Sequence, residues 1–126
     1  MEPKHFRARP LDRHADWTRW LTDDERTFGH SGLYRFYDAN RRLLYVGISR
    51  HMEVRWSAHR TAAKWWPLAR FVAVSFFPVG CGVWPDLAEK ASIAHEDPQF
   101  NSNHKNPPRS TALRLHPYVP PPGFGD

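Results

Sequence analysis

Arg55 and His59 stand four residues apart in a segment that reads as a helix, so their side chains share a face. The guanidinium keeps its charge and offers a planar fork that suits a phosphate oxygen. The imidazole can hydrogen-bond a phosphate or the hydroxyl of a neighbouring tyrosine. Two tyrosines, Tyr34 and Tyr45, lie upstream in strand-like segments. A phenol titrates near about 10, so it takes a proton from water only where cations lower that value. Glu89, on a later helical stretch, can hold one hard divalent cation, Mg²⁺ or Mn²⁺, through an oxygen and several waters. Asn101 can fix a phosphate or brace such a site through its amide. Jointly these groups suit phosphodiester hydrolysis, which needs activated water, stabilised charge on phosphorus and help for the leaving oxygen. Singly, each has a commoner fate: strand tyrosines pack in hairpins, and a lone helical glutamate is solvated.

The elements that must position these residues follow from local pattern. Leu33 to Tyr37 and Leu43 to Ile48 read as strands, joined by the turn Asp38-Ala39-Asn40-Arg41. A four-residue loop sets Tyr37 opposite Arg42 and Tyr34 opposite Tyr45, with both tyrosines on one face and Leu33 and Val46 on the other. Met52 to about Lys64 reads as a helix whose inner stripe is Val54, Ala58, Thr61, Ala62 and Trp65. Ala69 to Phe77 is a buried strand, ended by Pro78 and the Gly80-Cys81-Gly82 loop. Pro85 and Asp86 open a second helix, with Leu87, Ala88, Ala91, Ala94 and His95 inward, and Pro98 stops it. Glu96, seven residues after Glu89, faces nearly the same way and is a candidate to support a metal there. The expected fold is an α/β (α+β) domain with a small, mainly antiparallel three-stranded sheet flanked by helices. Three parts are read along the chain: a basic arm and accessory helix over 1–30, the helix at Asp12 to Leu21; a folded centre over 31–102; and a proline-rich, weakly packed tail over 103–126.

Gly32-Leu33-Tyr34, ten intervening residues and then Tyr45-Val46-Gly47 resemble the two halves of the motif of the GIY-YIG nuclease family. Ser49 after the second glycine fits the same pattern, and Leu33 replaces the usual isoleucine. Arg55 and His59 match the arginine and histidine of the family's first helix. Glu89 matches its metal-binding glutamate, and Pro98-Gln99-Phe100-Asn101 its closing proline–aromatic–asparagine pattern. Ile48 stands where several relatives carry lysine, so no lysine contribution is expected. The resemblance implies a metal-dependent endonuclease acting on DNA. It gives catalytic roles to Tyr34, Tyr45, Arg55, His59, Glu89 and Asn101. The general base is one of the tyrosines, with Tyr34 favoured.

Charge agrees with such a partner. Lys and Arg number 18 against 13 Asp and Glu, a formal charge of +5, which favours polyanions. Arg50, Arg60, Lys64 and Lys105 are candidate backbone contacts. One cysteine, Cys81, excludes an internal disulfide and fits a reducing cytoplasm. The eight histidines form no His-x-His or His-Glu-x-x-His pattern, so a zinc centre is not expected. Asn101 to His104 has the look of the end of an HNH nuclease motif, but the upstream histidine pair is missing. No stretch is long and apolar enough for a membrane span, and no small-molecule cofactor is called for. A homodimer is one way to cut both strands. A non-catalytic nucleic-acid-binding module on the same scaffold is the alternative reading. A protein that docks partners through its proline-rich tail is a third.

Overall fold

The computed structural model describes residues 3–11, 30–78, 80–101 and 118–125. The segment expected as the helix Asp12 to Leu21, and Lys105, lie outside them. Four strands form one antiparallel sheet: β1 (Lys4–Pro10), β2 (Ser31–Tyr37), β3 (Leu43–Ser49) and β4 (Phe71–Phe77), in the order β1-β4-β2-β3. Helix α1 (Met52–Ala62) and helix α2 (Trp84–Glu96) complete the described elements, with a 3₁₀ turn at Trp66–Leu68. None of the described helices is long and apolar enough to cross a membrane.

The fourth strand corrects the expected three-stranded sheet: it is built by residues 4–10, within the stretch 1–30 read as a basic arm and accessory helix. Phe6 packs on Phe76 edge to face, and Ala8 is buried. These two apolar side chains, on opposite faces of a basic strand, are enough to dock it on β4. The hairpin register is corrected as well. Tyr34 pairs with Gly47 and Phe36 with Tyr45, and an irregularity follows before Tyr37 pairs with Leu43. The loop is therefore longer than expected. The Asp38 carboxylate accepts the backbone N–H groups of Asn40 and Arg42 and the Arg42 guanidinium, which holds its pKa below the ordinary value. Arg41 adopts a left-handed conformation to close the turn. A slip of two residues preserves alternation, so both tyrosines remain on one face and Leu33 and Val46 on the other.

Helix α1 covers the tyrosine face. Its inner side is Met52, Trp56 and His59, whereas Val54 is 66 % exposed and Ala58 is exposed too. The expected stripe was rotated away because Trp56 and Met52 bury more area than Val54 and Ala58. Trp56 meets Tyr34 and Phe36 edge to face, and Trp65 packs on Phe36. Helix α2 covers the opposite face with Ala88, Ala91 and Ile93, against Leu33, Val46 and Phe77. Pro85 and Asp86 occupy its first turn, and it ends at Asp97 in the left-handed conformation just before Pro98. His95, expected inward, is exposed, and Ser92 is buried in its stead.

Within the stretch 103–126 read as a weakly packed tail, the described residues 118–125 are packed on the domain. Residues 118–125 form a strap along the α2 face and the β1 edge. Val119 is buried, and the Phe124 ring lies 4.8 Å from Tyr37 and 5.4 Å from Phe71. Ala8 exchanges backbone hydrogen bonds with Gly123 and Gly125. The outer edge of β3 is closed in the same manner, by Gln99 and Phe100 donating to Leu43 and Leu44. Both sheet edges are thus paired along part of their length, which limits edge-to-edge association.

Candidate active site

Five of the sequence-selected residues converge where β3 meets α1 and the flank of α2. The Tyr34 ring is fully buried, and its hydroxyl lies 2.8 Å from His59 Nε2. Tyr45, half-buried, lies beside it with ring centroids 6.3 Å apart. The Arg55 guanidinium, on the exposed side of α1, reaches both tyrosine hydroxyls. Glu89 reaches the same place from the other layer, its carboxylate close enough to the Ile48 N–H of the β3 edge to be favoured by it. It is close enough to Arg55 and Tyr34 to act on their charge.

The glycines of the two half-motifs have steric reasons. A Cβ on Gly47 would lie 2.4 Å from the Tyr34 hydroxyl, and one on Gly32 would lie 2.2 Å from the Met52 sulfur. Gly47 is therefore the space that admits the Tyr34 hydroxyl, and Gly32 the space that admits α1. Substituting Gly47→Ala is expected to displace Tyr34 and destabilise the fold by about 1–3 kcal/mol. Urea unfolding of the two proteins measures this; equal midpoints would mean that the hydroxyl has room to move.

Burial raises the Tyr34 pKa above its ordinary value, the neighbouring Tyr45 adds to this, and Arg55 opposes it without prevailing. Burial, then the positive charge of Arg55, lowers the His59 pKa to about 4. His59 is thus neutral near pH 7, and its Nε2 can accept the Tyr34 proton. Burial, then Asp86, raises the Glu89 pKa to about 7, against the Ile48 N–H, Arg55 and Lys90. A pH consequence follows for His59. Unfolded, it protonates near 6.5, and folded only near about 4. The unfolded state binds more protons between those values, so stability falls as pH drops through that window, by on the order of 2 kcal/mol. His59→Gln should flatten this part of the stability–pH profile, read by thermal melts from pH 4 to 8; parallel profiles would place the titration elsewhere.

Asn101, expected to fix a phosphate or brace the metal site, has its amide bonded to the backbone of Val46. Its amide oxygen accepts Val46 N–H at 2.8 Å and its amide nitrogen donates to Val46 C=O at 2.9 Å. It braces the β3 edge one residue from Tyr45, because an edge strand leaves those two groups open and an amide matches both. Glu96 is corrected too: it is bound to Arg35 rather than turned to the Glu89 site. Arg50, Arg60 and Lys64 are exposed around α1.

Sequence reasoning passed over two groups. Trp65 stacks on Tyr45 at 4.9 Å and also contacts His59, fixing both rings. Arg35 is fully buried on the α2 face. Strand alternation beside Leu33 was the signal that a charge would point inward there.

Among the described residues no group of three or more His, Cys, Asp and Glu could hold a metal as a cage. A single half-buried carboxylate at the edge of the site suits a hard cation such as Mg²⁺, which keeps most of its waters and needs few protein ligands. No curated protein and no solved structure matches the chain. Residues 30–79, which carry Tyr34, Tyr45, Gly32, Gly47, Arg55 and His59, match the family model described as the GIY-YIG catalytic domain, and it is through this stretch that the chain resembles the GIY-YIG family of endonucleases.

Proposed function

We propose that this protein is a metal-dependent endonuclease that hydrolyses phosphodiester bonds in DNA. The observation that carries the reading is the Tyr34–His59 hydrogen bond within reach of Arg55, on a face shared with Tyr45 and approached by Glu89. Tyr34 stays protonated near neutrality, so it acts as a base only by passing its own proton to His59 Nε2 while taking one from water. The lowered pKa of His59 leaves that nitrogen unprotonated near neutrality, though a weak base for the proton it receives. Tyr45, held by Trp65, positions the phosphate or the attacking water. Arg55 offsets the charge that grows on the phosphoryl oxygens. Glu89 would hold Mg²⁺ or Mn²⁺, which when bound supplies positive charge for the phosphate and the leaving oxygen. Asn101 keeps β3, and with it Tyr45, in place. Arg50, Arg60 and Lys64 supply backbone attraction, joined by Lys105 in our reading, so binding should weaken steeply with salt.

The test is nicking of supercoiled plasmid with Mg²⁺ by wild type and by Arg55→Ala. Wild type should cut, and the variant should lose at least about a hundredfold in rate. If the two behave alike, the enzymatic reading fails. Retained DNA binding without any cutting would favour the non-catalytic module instead.

A further inference from the structure

The Arg35 side chain is unusually committed for a strand residue. Its Nε donates to Glu96 Oε1 at 2.8 Å, and Nη2 donates to Glu96 Oε2 at 2.8 Å, Ser92 Oγ at 3.0 Å and Val119 C=O at 2.7 Å. The Tyr118 hydroxyl donates to the same Glu96 carboxylate. The remaining nitrogen, Nη1, has no hydrogen-bond partner among the described residues. A buried ion pair of this kind adds little net stability compared with apolar residues of similar volume, because both charges leave water. Its better-attested use is to specify one arrangement among several.

Helix α2 needs such a device. Beyond Trp84, which packs edge to face on Phe77 in the first turn, the face it turns to the sheet is mostly small: Pro85, Ala88, Ala91 and Ser92 are buried along with Ile93. Beyond that first turn such a face fixes the rotation of the helix weakly, since few side chains interdigitate. Glu89 and Glu96 are two turns apart on nearly one line of the helix. The helix is thus pinned at its last residue by Arg35 on Glu96 and presents Glu89 to Ile48 two turns earlier, at its middle. Arg35 is also the residue after Tyr34, on the opposite face of the same strand. One rigid strand therefore carries both the tyrosine and the anchor of the helix that carries the carboxylate.

We propose that Arg35 is a positioning residue for the cleavage site: by clamping Glu96, with Val119 and Tyr118 of the strap completing the clamp, it sets the rotation of α2 and so the place of Glu89. This rests on the nuclease reading only for what Glu89 does there. A rotation of about 20° would move a carboxylate some ~6 Å from the helix axis by about 2 Å. Misplacement of about 1 Å is enough to cost on the order of a hundredfold in rate.

The test compares wild type with Arg35→Met, Arg35→Lys and Tyr118→Phe in the full chain. Mn²⁺ affinity is read by electron paramagnetic resonance and Ile48 amide exchange by NMR, beside plasmid nicking. Arg35→Met should weaken Mn²⁺ binding at least about tenfold, speed Ile48 exchange and lower kcat with KM for DNA unchanged. Arg35→Lys should recover part of the loss, and Tyr118→Phe should show a smaller change of the same sign. A folded Arg35→Met protein with wild-type Mn²⁺ affinity and Ile48 protection, and only a lower Tm, would overturn the proposal. Should that variant fail to fold, Tyr118→Phe decides by the same readouts. If wild type binds Mn²⁺ yet cuts nothing, the nuclease reading fails while the Arg35 result still stands on its own measurements.

Discussion

Glu89→Gln should abolish cleavage and at the same time raise stability at pH 8. The carboxyl is half-buried, and its pKa is pushed from an ordinary 4.5 to about 7, chiefly by burial. Unfolded, it ionises near 4.5, whereas the folded protein releases that proton only near about 7. Between those values the folded state binds more protons, so this group's stabilisation is full below 4.5 and is lost as pH rises to about 7. Above that, a buried charge opposes folding by on the order of 2 kcal/mol. Glutamine is nearly isosteric, keeps an oxygen for the Ile48 N–H and carries no charge. The variant should therefore melt roughly 5–10 °C higher than wild type at pH 8, and the gap should close toward pH 4.5. Cleavage should fall at least about a thousandfold, as when a transition-state charge loses its counterpart. Added Mg²⁺ should narrow the gap by stabilising wild type alone, by RT ln(1 + [Mg²⁺]/Kd). A variant that still cuts would remove Glu89 from the metal; melting curves with no pH-dependent gap would remove the buried charge.

Removing residues 118–126 should come close to unfolding the protein. Val119 is 6 % exposed, and Phe124 is enclosed by Tyr37 and Phe71 with the Arg41 guanidinium 4.7 Å from its ring. Phe124 is only partly buried, so their burial is worth about 2–4 kcal/mol together, against a total of roughly 5–15 kcal/mol for a typical domain. The truncation also takes the Val119 carbonyl from Arg35 and the Tyr118 hydroxyl from Glu96, so a buried charge pair loses two of its hydrogen bonds. A fall in Tm of roughly 10–20 °C is expected, with loss of cleavage at 37 °C that returns on cooling. Differential scanning calorimetry of full-length and truncated chains measures it. A truncated chain that melts within a few degrees of full length would show the strap to be dispensable. The packing of residues 118–125 on the domain argues against their serving as a detachable docking tail.

The site was legible to the extent that it depends on short spacing. Arg55 and His59 at four residues must share a helix face, and Tyr34 and Tyr45 keep a common face under any even register shift. Their chemistry is carried by residue type, so the candidates could be named before any fold was known. The partners of those candidates were not legible. Nothing local tells that Asn101 closes Val46 instead of facing a phosphate, or that Glu96 turns to Arg35 rather than supporting Glu89. Each depends on which unpaired group a long-range contact leaves open.

The five side chains that meet beside β3 were singled out as a set by resemblance to the GIY-YIG pattern; what the sequence alone determined is the element order from Ser31 to Glu96 and the two-faced hairpin. Periodicity and turn chemistry are local properties, and they fix these without knowledge of the whole. Tertiary structure decided the fourth strand, the strap over residues 118–125, the inner face of α1 and the raised pKa of Glu89. In each case the deciding quantity is burial. Phe6 and Phe124 become apolar anchors only once β4 and Tyr37 are there to receive them. Trp56 displaces Val54 from the core because it covers more of the sheet, and Glu89 holds its proton only because α2 takes it out of water.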